Sequence, residues 1–451
     1  MLKKSAIRLG IDRAVSYTLL ARVWQAMAGL CSIFLIAKYF SPIEQGYFYT
    51  FSSILALQIF FELGLTYVVM QFTSHEMANL SWSSDRLIKG DAIANARLGS
   101  LMRMTLKWYL IAANLFWIIA LPAGTLFFST TLEPLPSEVW QLPWTYLVVL
   151  TAGMLFISPI FAILEGCNLM AEVARFRTIQ DIVAYTVFWY AVSSGAGLFS
   201  ISLLPAIRIL MSISWLFWFY RGFIWSTIQF KKQGVKIDWR NEFWPLQWKI
   251  ALTSMGGYFY FYLFTPILFT YYGPVEAGKM GMSLSVIGAL NTACMTWMNT
   301  KTPLFCRLIA LKKFNELDDA YFQTLKKSLI ISIIAYLSTM LFLIILKMLN
   351  FIYAERLLDI LPFSLMLGGS FINVIIFSHA AYLRSHKQEP LLIYCLTMAI
   401  LNTLIGFFIG REYSAVGMAA GSFLLTLIIG LPWATIVFNN TRQHLHHANL
   451  K

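Results

Sequence analysis

Arg22 stands inside an apolar stretch, and Gln25, Gly29 and Ser32 follow it at intervals of 3, 7 and 10 residues. On a helix these four share one face, a polar stripe that must meet other helices or water. Glu62 lies in the next apolar stretch, with Gln58 and Thr66 one turn to each side. If the two stretches are antiparallel neighbours, a rise of ~1.5 Å per residue brings Arg22 and Glu62 to within roughly 5 Å in depth. An ionisable side chain inside a bilayer costs roughly 2.5–3.5 kcal/mol, so each needs a partner or a task. Two readings stay open: a buried structural ion pair, or a pair that contacts a substrate or a coupling ion, with Glu62 as the ion-coupling candidate.

Arg208 is a further cavity candidate, sharing a face with Ser212 and Trp215. Arg221 lies on the same helix, near its cytoplasmic end, where a long side chain snorkels to the interface. Asp181 follows Arg177 by one turn, a spacing that predicts a local pair. Asn291, Met295 and Asn299 recur at four-residue spacing, and Ser370, Asn373 and Phe377 form a similar row. Amides and hydroxyls so placed bind sugar hydroxyls or join helices by hydrogen bonds. The substrate-contacting candidates are therefore Arg22, Gln25, Arg208, Asn291, Asn299 and Asn373.

Other chemistry finds little support. There is no phosphate-binding loop, no nucleophile constellation and no cluster spaced to ligate a metal, so no enzyme and no cofactor are expected. The five cysteines have no regular spacing and give no disulfide framework. The His444-Leu445-His446-His447 run reads as a solvated end.

The elements that position these residues are membrane helices. The chain has 451 residues, 59% hydrophobic and 12% charged, where a soluble domain carries roughly 25% charged residues. Twelve apolar segments of about bilayer-spanning length can be read, at 15–40, 47–71, 107–128, 144–165, 177–199, 201–226, 250–272, 279–299, 328–349, 357–382, 390–410 and 415–438. They are continuously apolar, so they predict helices rather than barrel strands. The basic start Lys3, Lys4, Arg8 and Arg13 has no cleavage signal behind it and reads as the approach to a retained first helix.

Most of the 34 Lys and Arg fall on one set of loops, which places both termini in the cytoplasm. Only Lys38, Lys279, Lys347, Arg356 and Arg411 lie in or beside outer loops. The formal charge of +13 is then topology and contact with anionic lipid, and nucleic acid is not a partner. Trp108, Trp144, Trp225, Trp248 and Trp433 fall near span ends, as interfacial anchors do. Met102-Arg103-Met104-Thr105-Leu106-Lys107 and Leu311-Lys312-Lys313-Phe314 read as amphipathic pieces lying on the inner surface.

The chain also repeats itself. Tyr39-Phe40-Ser41-Pro42-Ile43-Glu44-Gln45-Gly46 returns as Tyr271-Tyr272-Gly273-Pro274-Val275-Glu276-Ala277-Gly278, with four of eight positions identical. Each copy reads as a helix start, with a cap, Pro at the first position and Glu three residues after the cap. Gly46 and Gly278 then allow close helix contact. Six segments precede the basic linker 231–249 and six follow it. The expected fold is an all-α polytopic membrane protein of about 12 transmembrane helices. Lobes 1–230 and 250–451 are related by a parallel internal repeat around a central cavity.

In this layout, the Ser-Pro-Ile-Glu-Gln-Gly-Tyr-Phe turn, the Phe60-Phe61-Glu62-Leu63-Gly64-Leu65 run and Pro303-Leu304-Phe305 ahead of an inner loop resemble the O-antigen flippases (Wzx type). These form part of the polysaccharide transporter branch of the multidrug/oligosaccharidyl-lipid/polysaccharide exporter superfamily. The resemblance implies ion-coupled alternating access. It implies translocation of undecaprenyl-diphosphate-linked oligosaccharide across the bacterial inner membrane, with a polysaccharide polymerase and a chain-length regulator as further partners. Arg22 and Arg208 would offer their donors to the diphosphate. The rivals are a multidrug or cation antiporter of the same superfamily and a membrane polysaccharide polymerase or ligase. The latter class is similar in carrying a large outer loop, which this chain lacks.

Overall fold

The computed structural model describes residues 13–131, 135–230, 237–386 and 388–448. Lys3, Lys4 and Arg8, and the first part of the linker, lie outside them. Ten of the twelve apolar segments fall on helix apart from their ends, while 47–71 is broken at Leu63–Gly64 and 250–272 at Tyr262–Leu263. Among the described residues six helices pass as membrane-crossing by length and composition, and seven if a bent pair over Pro42–Met77 is one span. Two of the six, Ser137–Ser193 and Leu392–His446, have 57 and 55 residues. At ~1.5 Å per residue either is far longer than the ~30 Å hydrocarbon layer. Each is interrupted by non-helical backbone, at Cys167–Asn168 in the first and at Ser414 in the second. The chain is thus a multi-pass, all-α membrane protein.

Two compact units form. One joins the chain up to Leu35 with Ile54–Met255, and the other joins Ile36–Ser53 with Gly256 onward. Sequence alone places 36–53 in the first lobe. The structure groups it with the second because the two repeated turns pack on each other.

In the first unit, α1 (Arg13–Tyr39) carries the polar stripe. The helix α2 (Pro42–Leu55), which belongs to the second unit as far as Ser53, is followed by a helical turn at Ile59–Glu62 and then by α3 (Leu65–Met77) of the first. Leu63 and Gly64 both have left-handed backbone, φ 53° and 62°, and the two pieces meet at 44°. Gly64 is needed twice over, since a Cβ there would sit 2.5 Å from the Ile250 side chain.

A hairpin not expected from sequence follows, with β1 (Leu80–Trp82) antiparallel to β2 (Ile88–Gly90). Trp82 pins it by donating to Cys167 O at 2.8 Å. Asp91 then caps α4 (Ala92–Ser129) through the amides of Ile93 and Ala94. Met102–Lys107 is therefore the interior of a continuous helix and not a surface piece, and Leu101, Met102 and Thr105 are buried. Beyond it come α5 (Ser137–Leu164), α6 (Met170–Ser193) and α7 (Phe199–Gln229). Trp144 is no interfacial anchor. It is fully buried, lies across Gly124, and donates to Leu121 O at 3.3 Å.

Arg97 ties the linker to this unit. Its Nε donates to Glu76 Oε1 and its Nη2 to Glu242 Oε2, both at 2.6 Å. The guanidinium holds the Glu242 carboxyl below its ordinary value of 4.5. A depressed carboxylate contributes stability above its unfolded pKa, and the contribution is lost as pH falls through the folded value. Arg97→Met is therefore expected to cost about 1–2 kcal/mol at neutral pH, allowing for solvent screening. The gap between variant and wild type should narrow as the pH falls below 4.5 and close as it passes the lower folded value of Glu242. Thermal unfolding of purified protein at pH 7 and in this acidic range checks both statements.

The second unit contains α8 (Trp244–Phe261, from Gly256 on), α9 (Phe264–Ala310), α10 (Phe314–Met348), α11 (Ile360–Ser385), α12 (Leu392–Leu404), α13 (Gly410–Leu425) and α14 (Leu431–Ala448). The Ser41 cap is present: Ser41 N donates to Glu44 Oε2 at 2.8 Å, and Glu44 N to Ser41 Oγ at 3.1 Å. In the second copy Gly273, φ 84°, breaks α9 just before Pro274, a conformation that favours glycine. The two copies touch at their glycines. A Cβ on Gly46 would overlap the Pro274 carbonyl, and one on Gly278 would lie 2.9 Å from Gly46 N.

Leu311–Lys313 is a tight turn with Lys312 left-handed, and Phe314 begins α10, so the run is not an amphipathic helix of its own. His446 is not a free solvated end. Its Nε2 meets Tyr382 OH at 3.1 Å and its ring lies 4.9 Å from Phe314.

Candidate functional site

The first unit holds a cavity of about 570 Å³. Gln25 reaches it from α1, Ser158 from α5, Arg177, Gln180 and Asp181 from α6, and Arg208 and Ser212 from α7. Asp181 is the hub. Arg208 Nε and Nη2 both approach its Oδ1, at 3.0 and 2.9 Å, and Gln25 Nε2 approaches its Oδ2 at 3.4 Å. Gln180 locks α6 to α7 by donating to Arg208 O at 2.6 Å and Ser212 Oγ at 2.7 Å. Gln25 and Arg208, read separately from sequence, thus meet on one carboxylate.

Arg177 does not pair with Asp181, as its one-turn spacing suggested. It pairs with Glu165 at 3.0 Å and lies over Phe161. The cause is the reversal at Asn168, φ 67°, which brings the end of α5 back against the start of α6. Phe161, Phe176 and Trp215 stack beside it, with centroids 4.4 Å apart for Phe176 and Trp215. Among the described lining residues two guanidiniums face two carboxylates, so the cavity holds charge of both signs in balance. Arg221 is exposed and lies over Phe217, away from the cavity.

Glu62 does not line this cavity. It ends the helical turn at the Leu63–Gly64 break and accepts from Thr66 Oγ1 across it. Thr66 Oγ1 is in turn 2.6 Å from Tyr109 OH. The Arg22 side chain lies outside the described residues, so no partner of Glu62 is assigned on that side.

The second unit holds a separate cavity of about 350 Å³. Asn291 and Asn373, predicted from two different rows, both line it, with Tyr49, Ser52, Tyr260, Ser285, Ser370 and Ser422. Among the described residues no Asp, Glu, Lys, Arg or His lines it. Asn373 Nδ2 donates to Tyr260 OH at 2.9 Å, and that hydroxyl lies 3.0 Å from Thr426 Oγ1. Asn291 Oδ1 is buried with no hydrogen-bond partner among the described residues. Asn299 is not brought here. Two turns further along α9 it is exposed. Tyr260 was not singled out from sequence, because one tyrosine in an aromatic run carries no periodic signal.

No protein-family model and no curated protein matches the sequence. Solved structures share its fold. An inward-facing multidrug resistance MATE family transporter of the MOP superfamily is similar at TM-score 0.59 and 14% identity, covering 93% of this chain and 99% of that one. The lipid II flippase MurJ, in an inward closed conformation, is similar at TM-score 0.60 and 16% identity, covering 96% and 90%. A MOP superfamily transporter from Pyrococcus furiosus Vc1 (DSM3638) is similar at TM-score 0.51 and 13% identity, covering 96% and 94%. At these identities the likeness establishes the fold alone.

Proposed function

We propose that this chain is a transporter of the bacterial inner membrane, with both termini cytoplasmic. It moves a lipid-diphosphate-linked oligosaccharide to the outer leaflet, as an O-antigen-type flippase does. The observation that carries this reading is the uncharged second cavity. A carbohydrate offers hydroxyls and apolar ring faces but no charge. Amides, serines and tyrosines around an uncharged pocket are the matching chemistry. Asn291 Oδ1 supplies an acceptor that no described residue fills.

In the first unit, Arg208 spends two N–H groups on Asp181 and has further donors to offer to a phosphate oxygen. A lipid II flippase shares this fold, which supports a lipid-linked cargo. Glu62, held by Thr66 at a helix break, is the candidate for ion coupling.

A second reading, a cation-coupled multidrug antiporter, is favoured by one observation. Asp181 and Glu165 place two carboxylates in the first cavity, where a cation could displace an arginine.

The deciding test uses proteoliposomes containing the full chain. Leaflet exposure of a lipid-diphosphate oligosaccharide is followed with an impermeant glycosidase, and efflux of a cationic dye is measured in parallel. The flippase reading expects sugar exposure to be accelerated by wild type and slowed roughly tenfold by Asn373→Ala, as loss of one buried hydrogen bond or two implies. Dye efflux without sugar exposure would replace it with the antiporter.

A further inference from the structure

Of the basic residues that the sequence places at outer loops, Lys279, Lys347 and Arg356 are gathered by the second unit around one pocket of about 480 Å³. Lysine and arginine are normally sparse on that side, so this concentration requires a cause other than topology. Glu355 and Asp359 also line the pocket, and Glu276 stands against Lys279, so three carboxylates accompany the three cations. Lys347 Nζ lies 2.6 Å from Asp359, and Lys279 Nζ lies 2.7 Å from Glu276.

Arg356 makes no salt bridge within 4 Å among the described residues, and Glu44 acts on it only through its field. Its Nη2 donates to Phe40 O at 2.6 Å, and its own carbonyl accepts from Gln45 Nε2 at 3.0 Å. Its Nη1 is buried with no hydrogen-bond partner among the described residues. Gln45 Nε2 also donates to Gly278 O at 2.9 Å, so the repeated turns hold the guanidinium in a fixed frame. Burial pulls the Arg356 pKa below its ordinary value, an effect that the Glu44 carboxylate opposes only in part.

We propose that this pocket binds a phosphate group, with Arg356 Nη1 and the two lysine ammoniums taking its oxygens. A planar guanidinium with free donors fits a phosphate oxyanion, and lysines add charge at its rim. The phosphate can belong to an anionic lipid headgroup or to a diphosphate arriving from water. The assignment stands apart from the identity of the transported cargo.

The test uses purified full-length protein in phosphatidylcholine nanodiscs titrated with inorganic pyrophosphate. A parallel set is doped with phosphatidylglycerol, and retained lipid is counted by native mass spectrometry. Wild type is expected to bind pyrophosphate, and Arg356→Gln, Lys347→Gln and Lys279→Gln each to weaken it roughly tenfold. Retained phosphatidylglycerol that blocks pyrophosphate identifies the lipid headgroup as the source, and pyrophosphate binding undisturbed by that lipid identifies the aqueous one. If Arg356→Gln fails to fold through loss of the Phe40 contact, the two lysine variants decide, since neither lysine holds the backbone frame. Absence of binding by either probe to wild type, or binding unchanged in the folded variants, overturns the site.

Discussion

Gly46→Val is expected to leave almost no folded protein in the membrane. A side chain at Gly46 meets the carbonyl, carbonyl carbon and Cα of Pro274, all of them backbone, so no rotamer change relieves the overlap. Overpacking a core typically costs ~1–3 kcal/mol where side chains can give way, and more where a helix axis must shift. Against a total stability of about 5–15 kcal/mol that is decisive. Gly278→Val should behave the same way, because its Cβ would lie 2.9 Å from Gly46 N and 3.1 Å from Gly46 Cα. Gly288→Ala on the same helix is the control, since nothing lies within 4 Å of its Cβ position. The amount of monodisperse protein extracted in detergent measures all three. Wild-type yield from Gly46→Val would show that the helices do not cross there.

Arg208→Ala is expected to be the second most damaging change, and its rescue separates two causes. Asp181 keeps only 15% of its side chain exposed, so removing Arg208 strands a largely buried carboxylate. Breaking a buried pair from one side costs about 3–5 kcal/mol. Arg208→Gln combined with Asp181→Asn removes both charges, keeps hydrogen-bonding groups of similar size, and should restore most of the stability. Translocation should stay lost in this double variant if Arg208 holds the cargo's phosphate. Thermal unfolding and the leaflet-exposure assay, run on the same preparations, read the two effects independently. Recovery of both together would make the pair purely structural.

Features encoded locally were legible in the chain. The Ser41-Pro42-Ile43-Glu44 start reads correctly because capping depends on residues three apart. The helical character of the apolar segments follows from length and composition. Three things were not legible, each for a physical reason. The break at Leu63–Gly64 hides in a continuous apolar run, because one glycine does not announce a bend. The Asp181–Arg208 pair joins residues 27 apart, whereas the one-turn neighbour Arg177 offered a nearer partner that the Asn168 reversal took away. The hairpin at Leu80–Gly90 is held by Trp82 on Cys167 O, a contact that exists only after folding.

Of the site, the asparagine rows led to Asn291 and Asn373 but also to Asn299, because spacing fixes a face and not how far along it a cavity extends.

The interlock of Gly46 with Gly278 makes the duplicated stretch a matched pair rather than two independent instances of one turn. The room for a side chain at either position is set by its twin. Sequence drift at one is tolerated only toward what the other already accommodates, so in descendants of this chain the two positions should change together or stay as they are.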